Sequence, residues 1–241
     1  MFVYDNVLDI LVGPLHGVAT ASLSKVRDDL PELRRLWGKA LSTLAFCSMP
    51  AFGLLAVISQ DLIVLLLGAK WASAGVLLSI LALRGIPHSV ERTLGWLHVS
   101  AGRTDRWNRW GLFSTTVQVG AMFAGLRFGP VGVAVAYVIC MFVLFIPAIA
   151  YAGRPLGIGV SDVLSVVWRP LVGSLIAVGI GFALHHLLLV HASEIARMAL
   201  LTMTYVLIYL ALVVGLLGVW TPIRTASQLL KDWLPAPLRG S

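Results

Sequence analysis

Residues 71–102 read WASAGVLLSILALRGIPHSVERTLGWLHVSAG, and this stretch decides the fold. It is long enough to cross a membrane, because about 20 predominantly apolar residues span the hydrocarbon core as a helix. Five ionisable side chains interrupt its apolar pattern: Arg84, His88, Glu91, Arg92 and His98. At about 100° per residue, four of them fall within about 80° of one another, and Arg92 lies at the edge of that arc. The sequence therefore predicts a membrane helix with one polar face.

This polar face cannot contact lipid, since an Arg or Glu at the bilayer centre costs about 2.5–3.5 kcal/mol on insertion scales. Two interpretations are open: the ions pair with one another and only fix helix packing, or they line a cationic transport pathway. A second polar pair, Asp9 and His16, lies seven residues apart and so on one face of an earlier apolar segment. That pair is either a local hydrogen-bonded contact or part of the opposing wall of the same pathway.

The composition is that of an integral membrane protein. Of 241 residues, 59% are hydrophobic and only 12% are charged, whereas about a quarter of the residues of a soluble domain are charged. The net charge of +7 does not indicate nucleic-acid binding, because the basic residues stand at the ends of apolar runs and not in one patch. Cys47 and Cys140 lie in separate apolar runs without a CxxC or His partner. We therefore expect no disulfide, no metal site and no cofactor.

The apolar runs predict an all-α protein with seven membrane-crossing helices. We expect the third to break at Gly85-Ile86-Pro87 and the second to kink at Pro50 unless neighbouring groups bind the freed carbonyl. Residues 61–67 are predicted to be a re-entrant or interfacial turn, residues 160–168 an interfacial helix that leads into the sixth span, and residues 221–241 an amphipathic helix on the membrane surface. The predicted spans are residues 7–23, 36–59, 71–102, 107–126, 131–151, 170–190 and 195–219.

The basic residues predict the orientation of these spans. Of the 18 Lys and Arg residues, thirteen fall in loops on one side, three fall on the other side and two lie within the membrane. The three are Lys70, Arg127 and Arg197, and the two are Arg84 and Arg92. Because cytoplasmic loops are enriched in Lys and Arg, the loop at 24–36 and the C-terminus are predicted to be cytoplasmic.

Five short segments carry a resemblance to a known family. In order, and spaced between about residue 10 and residue 155, they are VGPLHGVATASLSKVRDD, MPAFG, LIVLLLGAKWASAGVLLSILAL, SAGRTD and FGPVGVAVAYV. On these segments the chain resembles the C-terminal half of the Wzx-type polysaccharide flippases, which handle O-antigen and exopolysaccharide precursors. That family lies within the multidrug/oligosaccharidyl-lipid/polysaccharide exporter superfamily.

The resemblance implies a transporter of two helical lobes around a central cavity. Such proteins carry undecaprenyl-pyrophosphate-linked glycans across the bacterial inner membrane, with polysaccharide polymerase machinery as a candidate partner. The chain would then comprise lobe helices at 1–155, two additional membrane helices at 156–220 and the tail at 221–241, with the first lobe absent. Arg84, His88 and Arg92 are the candidates for contacting pyrophosphate or acidic sugar. Glu91 either neutralises Arg92 or takes a proton.

Other functions are compatible with parts of the pattern. A multidrug or cation antiporter of the same superfamily would need an acidic cavity, and here the buried acids Asp9 and Glu91 are matched by two arginines. A peptidoglycan-precursor flippase would also carry a lipid pyrophosphate. A membrane acyl- or glycosyltransferase would need an acid–base group such as Asp9, His16 and His98, but no nucleophile or metal motif adjoins them. We therefore predict no enzymatic activity, and an inactive truncated membrane subunit remains an alternative.

Overall fold

The computed structural model describes residues 23–26, 29–100, 102–154, 157–187 and 193–216, and this part of the chain consists of helices joined by short turns. The α-helices are α1 Leu30–Leu67, α2 Ala72–Leu83, α3 Gly85–Ser100, α4 Thr104–Gly125, α5 Gly129–Gly153, α6 Val160–Leu187 and α7 Glu194–Leu210. A π-helical segment, Ala211–Leu216, continues α7.

Helix α1 is the central element, because α2, α3, α6 and α7 all pack against it. It begins where the Asp29 carboxylate accepts a hydrogen bond from the Glu32 backbone N–H at 3.2 Å, as expected of an N-cap. It ends at Gly68, whose φ of 88° suits glycine. The predicted interfacial segment at 61–67 is wrong: these residues form the last two turns of α1. No glycine or proline stands between residues 54 and 67 to end the helix earlier.

Helices α2 and α3 run antiparallel to α1 and bend by 43° where they join. Ser79 Oγ on α2 donates to the Ala56 carbonyl at 2.6 Å, and Trp37 Nε1 on α1 donates to the Thr93 carbonyl of α3 at 3.1 Å. Between these contacts, Gly85 lies against the Phe52 ring so closely that a Cβ there would be 2.1 Å from it. Pro87 lacks an N–H, and its ring clashes with a helical carbonyl four residues earlier. The predicted break at Gly85-Ile86-Pro87 is confirmed, with Arg84 at the bend.

Helices α4 and α5 form an antiparallel hairpin. The chain reverses through a 3-10 turn, Leu126–Phe128, and Gly129 with φ 72°. The open ends of the hairpin meet where Arg106 Nη2 donates to the Tyr151 carbonyl at 3.1 Å and the Trp110 ring stacks on the Tyr151 ring. The helices predicted at 107–126 and 131–151 are therefore confirmed to within a few residues.

Helix α6 is continuous from Val160 to Leu187, with Pro170 inside it. The prediction of a separate interfacial helix at 160–168 is wrong, because Val163 and Val167 are fully buried in the core shared with α1 and α3. The buried positions in this first part of α6, Val163, Val167 and Pro170, recur at helical spacing, and the residues between them are exposed or partly exposed. In the structure its apolar face contacts protein.

Pro50 lies inside α1 without interrupting it. A proline frees the carbonyl four residues earlier, and within a bilayer neighbouring groups must bind it. Here the Phe46 carbonyl accepts a hydrogen bond from the Tyr209 hydroxyl of α7 at 2.8 Å. One turn further on, Ser174 Oγ of α6 donates to the Met49 carbonyl at 3.0 Å and lies 2.9 Å from the Tyr205 hydroxyl.

By length and composition, four helical stretches can cross a membrane, or five if the bent α2–α3 pair counts as one span. One of the four, Thr104–Gly153, comprises both helices of the α4–α5 hairpin. The described residues therefore supply four or five candidate spans of an all-α membrane protein. A total of seven remains a prediction, because residues 7–22 of the first predicted span lie outside the described part, as do residues 217–219 and the predicted tail at 221–241.

Gly53 lets α6 and α7 approach α1, since a Cβ there would lie 2.2 Å from the Tyr205 hydroxyl and 2.7 Å from Ser174 Oγ. We expect Gly53→Ala to destabilise the purified protein by about 1–3 kcal/mol through overpacking, seen as a lower melting temperature in detergent. Gly179→Ala is the matched control, because nothing lies within 4 Å of its Cβ position. Equal melting temperatures for the two variants would contradict this packing.

Candidate functional site

Arg84 stands at the bend between α2 and α3, near the middle of the bent pair that counts as one candidate span. It follows the twelve residues of α2, which extend about 18 Å. Its guanidinium carbon lies 5.0 Å from the centroid of the Tyr137 ring on α5, within the range of a cation–π contact. The same side chain lines a cavity of about 540 Å³ between α1, α2, α4 and α5. Arg84 thus contacts protein on one side and open space on the other.

His88 and Glu91 follow one turn later on α3 and face each other. His88 Nδ1 lies 3.7 Å from Glu91 Oε2, and the two side chains are 23% and 15% exposed. Arg92, next to Glu91, is also half-buried. The structure therefore places Arg84 at the bend and His88, Glu91 and Arg92 along the first two turns after it, all four partly exposed. We call these four residues the bend cluster.

His98 does not belong to the bend cluster, contrary to the prediction that it shares one cavity with Arg84. Its side chain is fully buried, Nδ1 donates to the Leu94 carbonyl at 2.9 Å, and its ring lies 5.3 Å from the Trp107 ring of α4. The helical projection correctly placed it in phase with the other polar residues, but it cannot show that α4 covers this end of α3. Packing is the role that this geometry supports. Asp9 and His16 lie outside the described residues, so their place on an opposing wall remains a prediction.

A second group of ionisable residues, which the sequence analysis did not assemble, joins α1, α6 and α7. Asp61 on α1 is 3% exposed, and Arg197 Nε of α7 lies 2.9 Å from both of its carboxylate oxygens. Arg197 Nη2 also donates to Asp61 Oδ1, and His185 Nε2 of α6 lies 3.4 Å from Oδ2. We call these three residues the Asp61 triad. The triad thus pairs the buried Asp61 carboxylate near the end of α1 with side chains of α6 and α7.

Sequence reasoning missed the triad because each member was assigned to a different environment. Asp61 falls in the predicted re-entrant or interfacial turn at 61–67, Arg197 among the three basic residues on the other side of the membrane, and His185 within the predicted span 170–190. The available signal was that an acid, a base and a histidine stand at the ends of three apolar runs on one predicted side of the membrane. Over the described ranges, no group of three or more His, Cys, Asp or Glu residues could hold a metal ion.

Comparisons with known proteins identify the kind of fold. The family model described as "Polysaccharide biosynthesis protein" matches residues 3–75. The chain is 27% identical over 165 residues to "Lipopolysaccharide biosynthesis protein WzxC" of Escherichia coli (strain K12), covering 68% of this chain and 34% of that protein. The predicted resemblance to polysaccharide flippases is confirmed.

Two further likenesses agree with this resemblance. An "Uncharacterized membrane protein in cps region" of Klebsiella pneumoniae is 25% identical over 156 residues, which cover 64% of this chain and 32% of that protein. The structure of the lipid II flippase MurJ in an inward closed conformation superposes with a TM-score of 0.62 and 18% identity, over 83% of this chain and 42% of that chain. The likeness shows that the chain shares the helical fold of that structure over the part that superposes. The chain spans about a third of the length of the curated relatives that it matches.

The Asp61 triad is expected to hold α6 and α7 on α1. Removing one partner of a buried ion pair costs about 3–5 kcal/mol, because the other charge stays buried without compensation. Asp61→Leu should therefore lower the melting temperature strongly, and the double variant Asp61→Leu/Arg197→Leu should recover part of the loss.

Arg35→Leu is the comparison variant, since it breaks the exposed Arg35–Glu32 pair, and exposed pairs contribute about 0–1 kcal/mol. Thermal denaturation, followed by tryptophan fluorescence, gives the melting temperatures of all three variants. Equal melting temperatures for Asp61→Leu and Arg35→Leu would show that the triad contributes nothing.

Proposed function

We propose that this chain is part of a transporter that moves lipid-linked oligosaccharide or polysaccharide precursors across the bacterial inner membrane. Cell-surface polysaccharide biosynthesis is the process that such a transporter serves. The observation that carries the proposal is the bend cluster, in which Arg84 lines the cavity at the bend and Arg92 follows two turns later on α3. The likeness to proteins named for lipopolysaccharide biosynthesis and lipid II flipping supports the same conclusion.

The bend cluster has the chemistry that a translocated lipid phosphate needs. Pyrophosphate is strongly disfavoured in hydrocarbon, and a guanidinium offers it charge-assisted, bidentate hydrogen bonds. Arg84 lies where that phosphate would be furthest from water on either side. His88 and Glu91, whose Nδ1 and Oε2 atoms lie 3.7 Å apart, are the candidates for coupling transport to an ion.

The remaining parts of the proposal concern the whole transporter. The carrier is undecaprenyl pyrophosphate, the C-terminus is cytoplasmic, and polymerase machinery is a candidate partner. Residues 1–155 contribute to one lobe, residues 156–220 add two membrane helices, and residues 221–241 lie on the membrane surface. No catalytic step is proposed for the chain. The thirteen-to-three distribution of basic loop residues supports the orientation.

Substitution of the two arginines in the host chromosome tests the function. A charge-assisted hydrogen bond contributes about 1.5–3 kcal/mol, so we expect Arg84→Leu or Arg92→Leu to reduce surface glycan roughly ten- to a hundred-fold. Lysine at either position should restore only part of the surface glycan, because it keeps the positive charge but lacks the planar guanidinium group that binds phosphate through two hydrogen bonds. Arg127→Leu, on the exposed turn between α4 and α5, is the matched control and should leave surface glycan unchanged.

The same experiment distinguishes a packing role. If Arg92 only balances Glu91, Arg92→Leu should lower protein abundance, and Arg92→Leu/Glu91→Leu should restore both abundance and surface glycan. Immunoblots of membranes provide the abundance. Full surface glycan in the double variant Arg84→Leu/Arg92→Leu would end the proposal that these residues contact the substrate.

A further inference from the structure

The Asp61 triad contains one more ionisable group than an ion pair needs. Arg197 Nε lies 2.9 Å from both carboxylate oxygens of Asp61, so these two residues already form a complete pair between α7 and α1. His185, near the end of α6, adds a third side chain, with Nε2 at 3.4 Å from Asp61 Oδ2. The imidazole therefore brings a group that can take up a proton to a carboxylate that is only 3% exposed.

The charges around His185 favour an added proton. On α1 the charged group beside His185 is Asp61. On α7 it is Arg197, and Glu194, one turn earlier, is close enough to interact with that guanidinium electrostatically. Two carboxylates and one guanidinium leave one negative charge in excess at neutral pH. A proton on His185 cancels this excess, which is costly to keep in a partly buried site.

A surface pocket gives protons a route to the triad. The pocket has a volume of about 530 Å³ and is lined by residues 193–195 together with Leu65 and Arg197. Because Arg197 belongs to both the pocket and the triad, the pocket borders the triad directly. Histidine is the side chain that ordinarily changes its charge between pH 5 and pH 8. A change of pH in this range can therefore change the charge of His185.

We propose that His185 is a proton-binding site whose protonation strengthens the contact between α6 and α1. When His185 is protonated, Nε2 donates a charge-assisted hydrogen bond to Asp61 Oδ2, and such bonds are shorter and stronger than neutral ones. When His185 is neutral, this contact loses its charge, while Arg197 still holds α7 on α1. The sequence predicts that Arg197 lies on the side opposite the cytoplasm. On that topology the site responds to the pH outside the cytoplasm.

Thermal denaturation of the purified chain in detergent, at about pH 6 and about pH 8, tests the site. For the unaltered chain we expect a melting temperature about 2–4 °C higher at the lower pH. His185→Gln keeps a hydrogen-bond donor that does not titrate, so this difference should disappear. Asp61→Asn removes the charge that attracts the proton and should abolish the difference as well. His186→Gln, at the adjacent histidine, is the matched control and should retain the difference.

A fixed positive charge at position 185 separates protonation from packing. His185→Lys carries its charge at both pH values, so its melting temperature should not differ between them. At about pH 8, where the native histidine is neutral, we expect His185→Lys to melt at a higher temperature than His185→Gln. A role of the imidazole ring in packing alone would give the lysine variant no such advantage.

Hydrogen–deuterium exchange gives a second measurement on the unaltered chain, which no folding defect of a variant can affect. After correction for the intrinsic effect of pH on exchange, we expect backbone amides at residues 180–187 to exchange about three-fold or more slowly at the lower pH. Peptides from the middle of α5 provide the internal reference and should show no such change.

Three results would overturn the proton site. The first is a full pH difference in the melting temperature of His185→Gln or Asp61→Asn. The second is a control variant, His186→Gln, that loses the difference as completely as His185→Gln does. The third is unchanged exchange at the end of α6 between the two pH values. None of these results bears on the proposed transport function, because that function rests on the bend cluster.

Discussion

The hydrogen bond from the Tyr209 hydroxyl to the Phe46 carbonyl is the contact on which the arrangement of helices depends. Pro50 removes the N–H that this carbonyl would otherwise bind, and a bilayer offers no water as a substitute. A carbonyl left unsatisfied there costs about 1–3 kcal/mol. Helix α7 supplies the missing donor through Tyr209, and α6 adds a hydrogen bond from Ser174 to the Met49 carbonyl. The proline thus makes the central helix dependent on α7.

The opposite side of the same short segment positions the bend cluster. Residues 49–53 read MPAFG, and each end of this segment faces a different group of helices. Gly53 admits Tyr205 and Ser174 on one side, while the Phe52 ring fills the space beside Gly85 on the other. Because Gly85 follows Arg84 directly, the depth of Arg84 is fixed by the contact with Phe52. One five-residue motif therefore joins the α6–α7 pair to the site proposed to handle phosphate.

Much of the architecture could be predicted from the sequence, because hydrophobicity is a local property. The α4–α5 hairpin and the break before Pro87 both follow from runs of apolar residues and from glycine or proline. The Asp61 triad could not be predicted in the same way, since Arg197 lies 136 positions from Asp61. Scales of the free energy of membrane insertion treat each charged side chain separately, so they favour a position at the membrane interface for residues such as Asp61 and Arg197. The prediction that His98 shares a cavity with Arg84 was wrong for a related reason. A helical projection gives the direction of a side chain around the helix axis but not the neighbouring helix that covers it.

The most direct test of this account is a double-mutant cycle between Pro50 and Tyr209, measured as thermal or denaturant stability in detergent. With Pro50 present, Tyr209→Phe should cost about 1–3 kcal/mol, because the buried Phe46 carbonyl loses its partner. In the Pro50→Ala background the alanine N–H can bind that carbonyl, so the same Tyr209→Phe change should cost less than half as much. An equal loss in both backgrounds would contradict the claim that the proline ties α7 to the central helix.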